Sequence, residues 1–128
     1  MARILVIDDD PTITQMCKAY FTVKGHQVTI AKDGREGLSK FQGAEFDLVI
    51  TDLMMPNVHG FKVIDQIKAT PRGQKTAVLL LTADRNEPDL QEYDRTHFQD
   101  DTLGKPFDMP ILEAKIKELL REMADRQS

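Results

Sequence analysis

Two observations predict an α/β protein with a five-stranded parallel sheet, doubly wound as a three-layer α/β/α sandwich. First, short apolar runs alternate with segments of helical periodicity five times along the chain. Second, runs such as Ile4–Ile7 are continuously apolar, which is typical of strands covered on both faces. Because crossovers between parallel strands are right-handed, helices are expected on both sides of the sheet.

Each element has its own signal in the sequence. Strands are expected at 4–7, 28–31, 46–50, 77–81 and 102–103. Apolar residues at helical spacing predict helices over 13–23, 33–41, 61–67 and 108–123, with Asp108 as the cap of the last one. The segment 70–75 is interpreted as a turn-rich connector, and 85–100 gives only a weak helical pattern that contains Pro88.

Length and composition indicate one ordinary globular domain. The 128 residues are 41% hydrophobic and 30% charged, so we expect a single domain over 1–128, with a core of about 2–122 and a frayed tail at 123–128. The net charge of −4 argues against direct binding of nucleic acid. No apolar stretch is long enough for a membrane span. The single cysteine, Cys17, fits a cytoplasmic protein.

Charged and polar residues follow the strands where each strand ends. Asp8 and Asp9 follow the first strand, Asp52 the third, Thr82 the fourth and Lys105 the fifth. Ligands of parallel α/β sheets bind at this edge, so these side chains are expected to share one cleft. Two carboxylates about 4 Å apart repel by roughly 4 kcal/mol at an effective dielectric of 20. The cluster therefore predicts a divalent cation, and oxygen ligands in an open site favour Mg²⁺.

Four separated motifs then suggest a family. "ILVIDDDP", "FDLVITDLMMPNVHGF", "LLLTA" and "GKPF", in this order, resemble the receiver domain of two-component response regulators, over roughly 2–122. The resemblance implies a flavodoxin-like, CheY-like fold. It also implies a reversible phosphorylation switch instead of an enzyme that turns over a substrate.

The resemblance also implies roles for individual residues. Asp52 matches the phosphoacceptor, which would receive a phosphoryl group from a sensor histidine kinase or a phosphotransfer protein. Asp9 would bind Mg²⁺ directly and Asp8 mainly through water, and the backbone carbonyl of Met54 would be a further ligand. Thr82 and Lys105 match the residues that contact the phosphoryl group. The bond between Lys105 and Pro106 resembles one that the family holds cis.

One stretch departs from the family pattern. Receivers usually carry a Tyr or Phe three residues before the lysine, and Thr102 stands there in this sequence. Tyr93, His97 and Phe98 are alternatives for the missing ring, and nothing in the sequence selects one. We expect the phosphorylation chemistry to survive this change, whereas the output surface is atypical.

Two other functions stay open at this point. A receiver fold whose interactions no longer depend on phosphate, a pseudo-receiver binding module, is the main alternative. A Mg²⁺-dependent phosphohydrolase is less compatible, because Met54 stands where such enzymes place a second aspartate and no cap domain fits in 128 residues. The sequence does not identify the downstream protein partner, and a homodimer stays open as an alternative.

Overall fold

The sheet has five parallel strands, as predicted. The computed structural model describes residues 1–53, 55, 58–83 and 100–127. Its strands are β1 (Arg3–Ile7), β2 (Gln27–Ala31), β3 (Leu48–Asp52), β4 (Ala77–Thr82) and β5 (Asp101–Gly104). Its helices are α1 (Pro11–Val23), α2 (Gly34–Gly43), α3 (Gly60–Lys68), the single turn α4 (Pro71–Gln74) and α5 (Met109–Gln127).

The strand order is β2-β1-β3-β4-β5, with every pair parallel. The order reverses between β1 and β3, which gives the sheet one switch point, where such folds bind ligands. The carboxyl ends of β1 and β3 therefore lie side by side, and Ile7 is paired with Thr51. This arrangement confirms the predicted doubly wound sandwich.

Alternation along the strands divides the core into two layers. In β1, Ile4 and Val6 pack with α1 and α5, whereas Leu5 and Ile7 pack with α2 and α3. All four side chains are buried, and each contributes roughly 1.5–3 kcal/mol by leaving water. Since both faces of β1, β3 and β4 are covered, the strands that carry the acidic residues form a rigid support.

Local signals explain how the chain enters its helices. Asp10 caps α1 by accepting a hydrogen bond from the Thr12 N–H at 2.9 Å, and Pro11 opens the helix. Asp33 caps α2 in the same way, accepting from the Glu36 N–H. In α2, a Cβ at Gly37 would lie 2.4 Å from the Ile7 side chain, so glycine allows this helix to pack closely on β1.

The structure corrects three expectations about boundaries. The third strand begins at Leu48, two residues later than expected, and Asp52 is its last residue. The connector 70–75 contains the helical turn α4, which Thr70 caps by accepting from the Gly73 N–H. The last helix runs to Gln127 and Met123 is buried, so no frayed tail begins at 123.

A cleft of about 350 Å³ lies at the amino-terminal edge of the sheet. This edge is opposite to the one that carries Asp8, Asp9 and Asp52. It is lined by residues from both ends of the chain, including Met1, Ala2, Met123 and Ala124. The Ala2 N–H donates to Nδ1 of His26 at 3.0 Å, which fixes the beginning of the chain there.

Candidate functional site

Three carboxylates meet at the carboxyl ends of β1 and β3. One oxygen from each of Asp8, Asp9 and Asp52 lies within 4.8 Å of the others. Asp8 is held in place because its N–H donates to the Ala31 carbonyl of the neighbouring strand at 3.1 Å. Asp8 is 1% exposed and Asp52 is 8% exposed, while Asp9 faces solvent. The predicted acidic cluster is therefore formed.

Lys105 brings a positive charge into the same cluster. Its Nζ lies 2.8 Å from Oδ2 of Asp8 and 3.4 Å from Oδ1 of Asp52. The backbone places it there, since the Lys105 N–H donates to the Thr82 carbonyl at 2.7 Å, just beyond β5. The peptide bond between Lys105 and Pro106 is cis, as the resemblance implied.

The two oxygens of Asp8 have different partners. Oδ1 accepts from the Asp10 N–H at 3.0 Å, and Oδ2 accepts from Nζ of Lys105. Both Asp8 oxygens are thus engaged within the protein, whereas Asp9 is exposed beside them.

Burial changes the acidity of Asp52. Its pKa rises to about 6, chiefly because the carboxyl is removed from water and also because Asp8 is negative. Lys105 and the Leu53 N–H, which donates to Oδ1 at 2.9 Å, oppose this rise. Burial would lower the pKa of Lys105, but its hydrogen bond to Asp8 and the charges of Asp52 and Asp8 outweigh burial and raise it.

The donor set is suited to a hard cation. Three carboxylates and one ammonium leave two negative charges uncompensated when all are ionised. All of the candidate donors are oxygens, which Mg²⁺ prefers, and the exposure of Asp9 leaves room for the water molecules that this ion keeps. These residues therefore fit a magnesium ion.

Gly60 is a positioning residue that the sequence did not reveal. Its N–H donates to the Leu53 carbonyl at 2.9 Å, and a Cβ at this position would lie 2.3 Å from the Asp52 carbonyl oxygen. Only glycine lets the first turn of α3 approach the end of β3 so closely. The sequence offered only its place in the motif that follows Asp52 and its position at the beginning of a helical pattern.

The structure describes two of three further residues that the sequence singled out. Thr82 is 2% exposed and is paired with Gly104 at the end of β4. Thr102 lies in β5 opposite Leu80 and is partly buried. Met54 falls outside the described residues.

The other candidates for the missing ring, Tyr93, His97 and Phe98, also lie outside the part of the chain that the structure describes. Cys17 is buried, as expected, and its pKa rises to about 12 because of burial and the negative charge of Asp8. This thiol packs behind the site and is not a reactive group of it.

Comparison with known proteins identifies the class to which this fold and site belong. The family model described as the response regulator receiver domain matches residues 4–117. The chain belongs to this family, the receiver domains of two-component systems. Such domains are generally signalling domains and not enzymes.

Curated relatives include full response regulators. The chain is 37% identical over 122 residues to the DNA-binding dual master transcriptional regulator RpaA of Synechocystis sp., covering 94% of this chain and 50% of the relative. It is 38% identical over 120 residues to response regulator RR06 of Streptococcus pneumoniae, covering 93% and 53%. The chain thus spans about half the length of these relatives.

Solved structures share the whole fold. CheY4 of Vibrio cholerae, a chemotaxis response regulator, superposes with a TM-score of 0.86 at 32% identity, covering 93% of this chain and 98% of the other. TrrA of Thermotoga maritima, solved in complex with Mg²⁺ and BeF, has a TM-score of 0.80 at 32% identity, covering 93% and 99%.

No helix in the described part of the chain is both long and apolar enough to cross a bilayer.

Proposed function

We propose that the domain accepts a phosphoryl group on Asp52 and acts as a reversible switch. The observation that carries this proposal is the position of Asp52, a buried carboxylate that lies beside Asp8 and Asp9 and 3.4 Å from the ammonium of Lys105. Receiver domains interact with histidine kinases or phosphotransfer proteins, so the proposed donor is a phosphohistidine on such a protein.

The transfer is a balanced exchange of one bond for another. An oxygen of the ionised Asp52 carboxylate attacks phosphorus, the bond from phosphorus to the donor nitrogen breaks, and its electron pair returns to the imidazole. The product is an acyl phosphate. Water reverses the switch by attacking phosphorus, which releases inorganic phosphate and restores the carboxylate.

The surrounding residues reduce the electrostatic barrier to this attack. A carboxylate and a phosphoryl donor are both anionic, so positive charge must lie close to the transferred oxygens. Lys105 already lies 3.4 Å from Asp52 and is the proposed partner of a phosphoryl oxygen, with the Thr82 hydroxyl as a second. Because the Asp52 pKa is about 6, most of this carboxylate is ionised at neutral pH.

Asp9, Asp8 and Asp52 would hold Mg²⁺, with the Met54 carbonyl as a further proposed ligand. When bound, the ion would supply positive charge that offsets the negative charge of the carboxylates and of the phosphoryl group. Asp8 is engaged by Lys105 and by the Asp10 N–H, which supports indirect contact through water for Asp8 and direct contact for the exposed Asp9.

The rest of the proposal concerns partners and output. The downstream partner is a protein, and the domain meets it in the cytoplasm. The domain does not contact nucleic acid directly. A homodimer is one form of the output. Thr102 replaces the usual aromatic residue, so the output surface would respond in an atypical way. The competing function is the phosphate-independent binding module, for which Thr102 is the supporting observation.

Intact mass after incubation with acetyl phosphate or phosphoramidate and Mg²⁺ tests the proposal. We expect the wild type to gain one phosphoryl group and to lose that gain in EDTA. Asp52→Asn should gain none, while Asp47→Asn, at the exposed position just before the same strand, should behave as wild type. If neither donor labels the wild type under conditions that label another receiver, the proposal fails and the binding module is favoured.

A further inference from the structure

The short strand β5 determines where Lys105 lies. This edge strand has only four residues and pairs with β4, and Lys105 follows it directly. A shift of one residue in pairing turns every side chain of a strand to the opposite face. The contact between Lys105 and the carboxylates therefore requires that β5 keep its register.

Asp100 holds the beginning of this strand through its backbone and its side chain. Its N–H donates to the Val78 carbonyl at 2.8 Å, and the Val78 N–H donates to its Oδ2 at 2.7 Å. The pair of bonds closes a ring at the first contact between β4 and β5. At the other end of the strand, the Lys105 N–H donates to the Thr82 carbonyl.

Two cations from different helices also hold the Asp100 carboxylate. Nζ of Lys68, the last residue of α3, lies 3.2 Å from Oδ2, and a guanidinium nitrogen of Arg126 in α5 lies 3.2 Å from Oδ1. The Asp100 side chain is 8% exposed, so its charge is tolerated only because both cations and the Val78 N–H compensate for it. Lys68 also donates to the Thr76 carbonyl.

The neighbouring Asp101 is bound differently. It pairs with Lys115 at 2.7 Å, and both side chains are about one-third exposed. Their pair lies near the surface and is expected to contribute little.

We infer that Asp100 is a positioning residue for Lys105. It acts from the amino-terminal end of β5, where it holds the register of that strand. The expected effect of Asp100 on the rate of phosphorylation rests on the proposed phosphoryl transfer, whereas its expected effect on β5 does not. Removing the Asp100 charge loosens β5 and displaces the Lys105 ammonium from the acidic cluster. Lys105 is therefore held by a group at the other end of its strand as well as by the carboxylates that it contacts.

A double-mutant cycle on the phosphorylation rate with acetyl phosphate tests this inference. Removing one preorganised hydrogen-bond donor from a transition state typically costs about 10²–10³ in rate. Because Asp100→Asn displaces the Lys105 donor without removing it, we expect labelling to slow at least tenfold. In the Lys105→Ala background, the same change should have less than a twofold effect, because there is no longer an ammonium to position. Rate losses that multiply in the double variant would overturn the inference.

Hydrogen exchange provides a readout that needs no phosphorylation. Asp100→Asn should speed exchange of the Lys105 amide at least tenfold, while amides of β1 and β3 keep their rates. Lys115→Met, which removes only the neighbouring surface pair, is the matched control. It should change neither the exchange of the Lys105 amide nor that of the β1 and β3 amides. An unchanged Lys105 amide in Asp100→Asn would overturn the inference even if the wild type is never phosphorylated, so the two proposals can fail separately.

Asp100→Asn leaves Lys68 buried without its counter-charge and could unfold the chain. Arg126→Met is the milder second variant, because that side chain is 57% exposed and its loss leaves the Asp100–Lys68 pair in place. We expect it to speed exchange of the Lys105 amide by a smaller factor, about threefold. A folded Arg126→Met variant with wild-type exchange and wild-type labelling would contradict the role given to the cluster.

Discussion

The folded protein is less stable when the Asp52 carboxyl is ionised than when it is protonated. Burial and the nearby Asp8 raise its pKa from 3.8 to about 6. A folded-state pKa above the unfolded one means that Asp52 contributes stability below pH 3.8. This contribution is lost as the pH rises through about 6. The proposed nucleophile therefore destabilises the metal-free fold at neutral pH.

Asp52→Asn should accordingly stabilise the protein at pH 7.5 in EDTA. One pKa unit corresponds to about 1.4 kcal/mol, so we expect a gain of about 1–3 kcal/mol in the free energy of unfolding. The gain should shrink as the pH falls from 7.5 towards 4, because the wild-type carboxyl then becomes neutral as well. Urea unfolding at several pH values measures it.

Asp125→Asn is the control for that experiment, since Asp125 is exposed in the last turns of α5 and its environment is unlike that of Asp52. A gain of the same size at pH 4 and pH 7.5 in Asp52→Asn would contradict the electrostatic explanation.

The sequence was sufficient to bring these residues together and to predict a magnesium site, but not to predict the acidity of Asp52. Asp8, Asp9, Asp52 and Lys105 could be placed at one edge because each follows a predicted strand. The raised pKa of Asp52 could not be predicted, since it depends on how deeply β3 and its neighbours bury that carboxyl. The role of Asp100 was missed for a related reason, because Lys68 and Arg126 are distant from it in sequence.

At the scale of elements, the junction between β3 and α3 determines where Asp52 is held. The Gly60 N–H bonds to the Leu53 carbonyl, and the open space beside the Asp52 carbonyl is too small for a methyl group. The atoms in the way belong to the backbone, which cannot move aside without shifting the end of β3.

Gly60→Ala should therefore destabilise the fold by about 2 kcal/mol, within the range for overpacking. Gly43→Ala is the matched control, because nothing lies within 4 Å of a Cβ built at that helical residue. Its effect should be neutral or stabilising by up to about 1 kcal/mol. Urea unfolding of both variants gives the comparison, and equal stabilities would show that the α3 turn can retreat from Asp52.

Elements with strong patterns were predicted well, and those that depend on tertiary contacts were not. Ile4–Ile7 and Ala77–Leu81 are continuous apolar runs, and both lie within strands. The turn α4 depends on a hydroxyl cap from Thr70, which is compatible with a simple turn as well. The burial of Met123 agrees with its place on the apolar face of the predicted last helix, whereas the helix continues over 124–127, where no apolar periodicity indicates it.

At the scale of the whole molecule, binding of Mg²⁺ should couple to folding and to pH. An ion that binds only the folded state stabilises it by about 2.7 kcal/mol at 100 times its dissociation constant. Protons compete for Asp52 near pH 6, so the increase in Tm caused by Mg²⁺ should be larger at pH 7.5 than at pH 5.5. Thermal unfolding monitored by circular dichroism measures it.

Asp9→Asn should abolish most of the Tm increase, because the exposed Asp9 is the proposed direct ligand. Asp125→Asn, an exposed substitution in the last turns of α5, should preserve the increase. A shift in Tm that is independent of pH, or that survives in Asp9→Asn, would argue against ion binding at this cluster.

The cleft at the amino-terminal edge has a practical consequence for experiments on intact signalling complexes. Met1 and Ala124 both line it, on the edge of the sheet away from Asp52. A fluorescent label or a surface linker attached near either residue would leave the mouth of the acidic cluster uncovered. One immobilised preparation could thus be presented to a kinase, a phosphotransfer protein and a downstream target in turn, with the same face open to each.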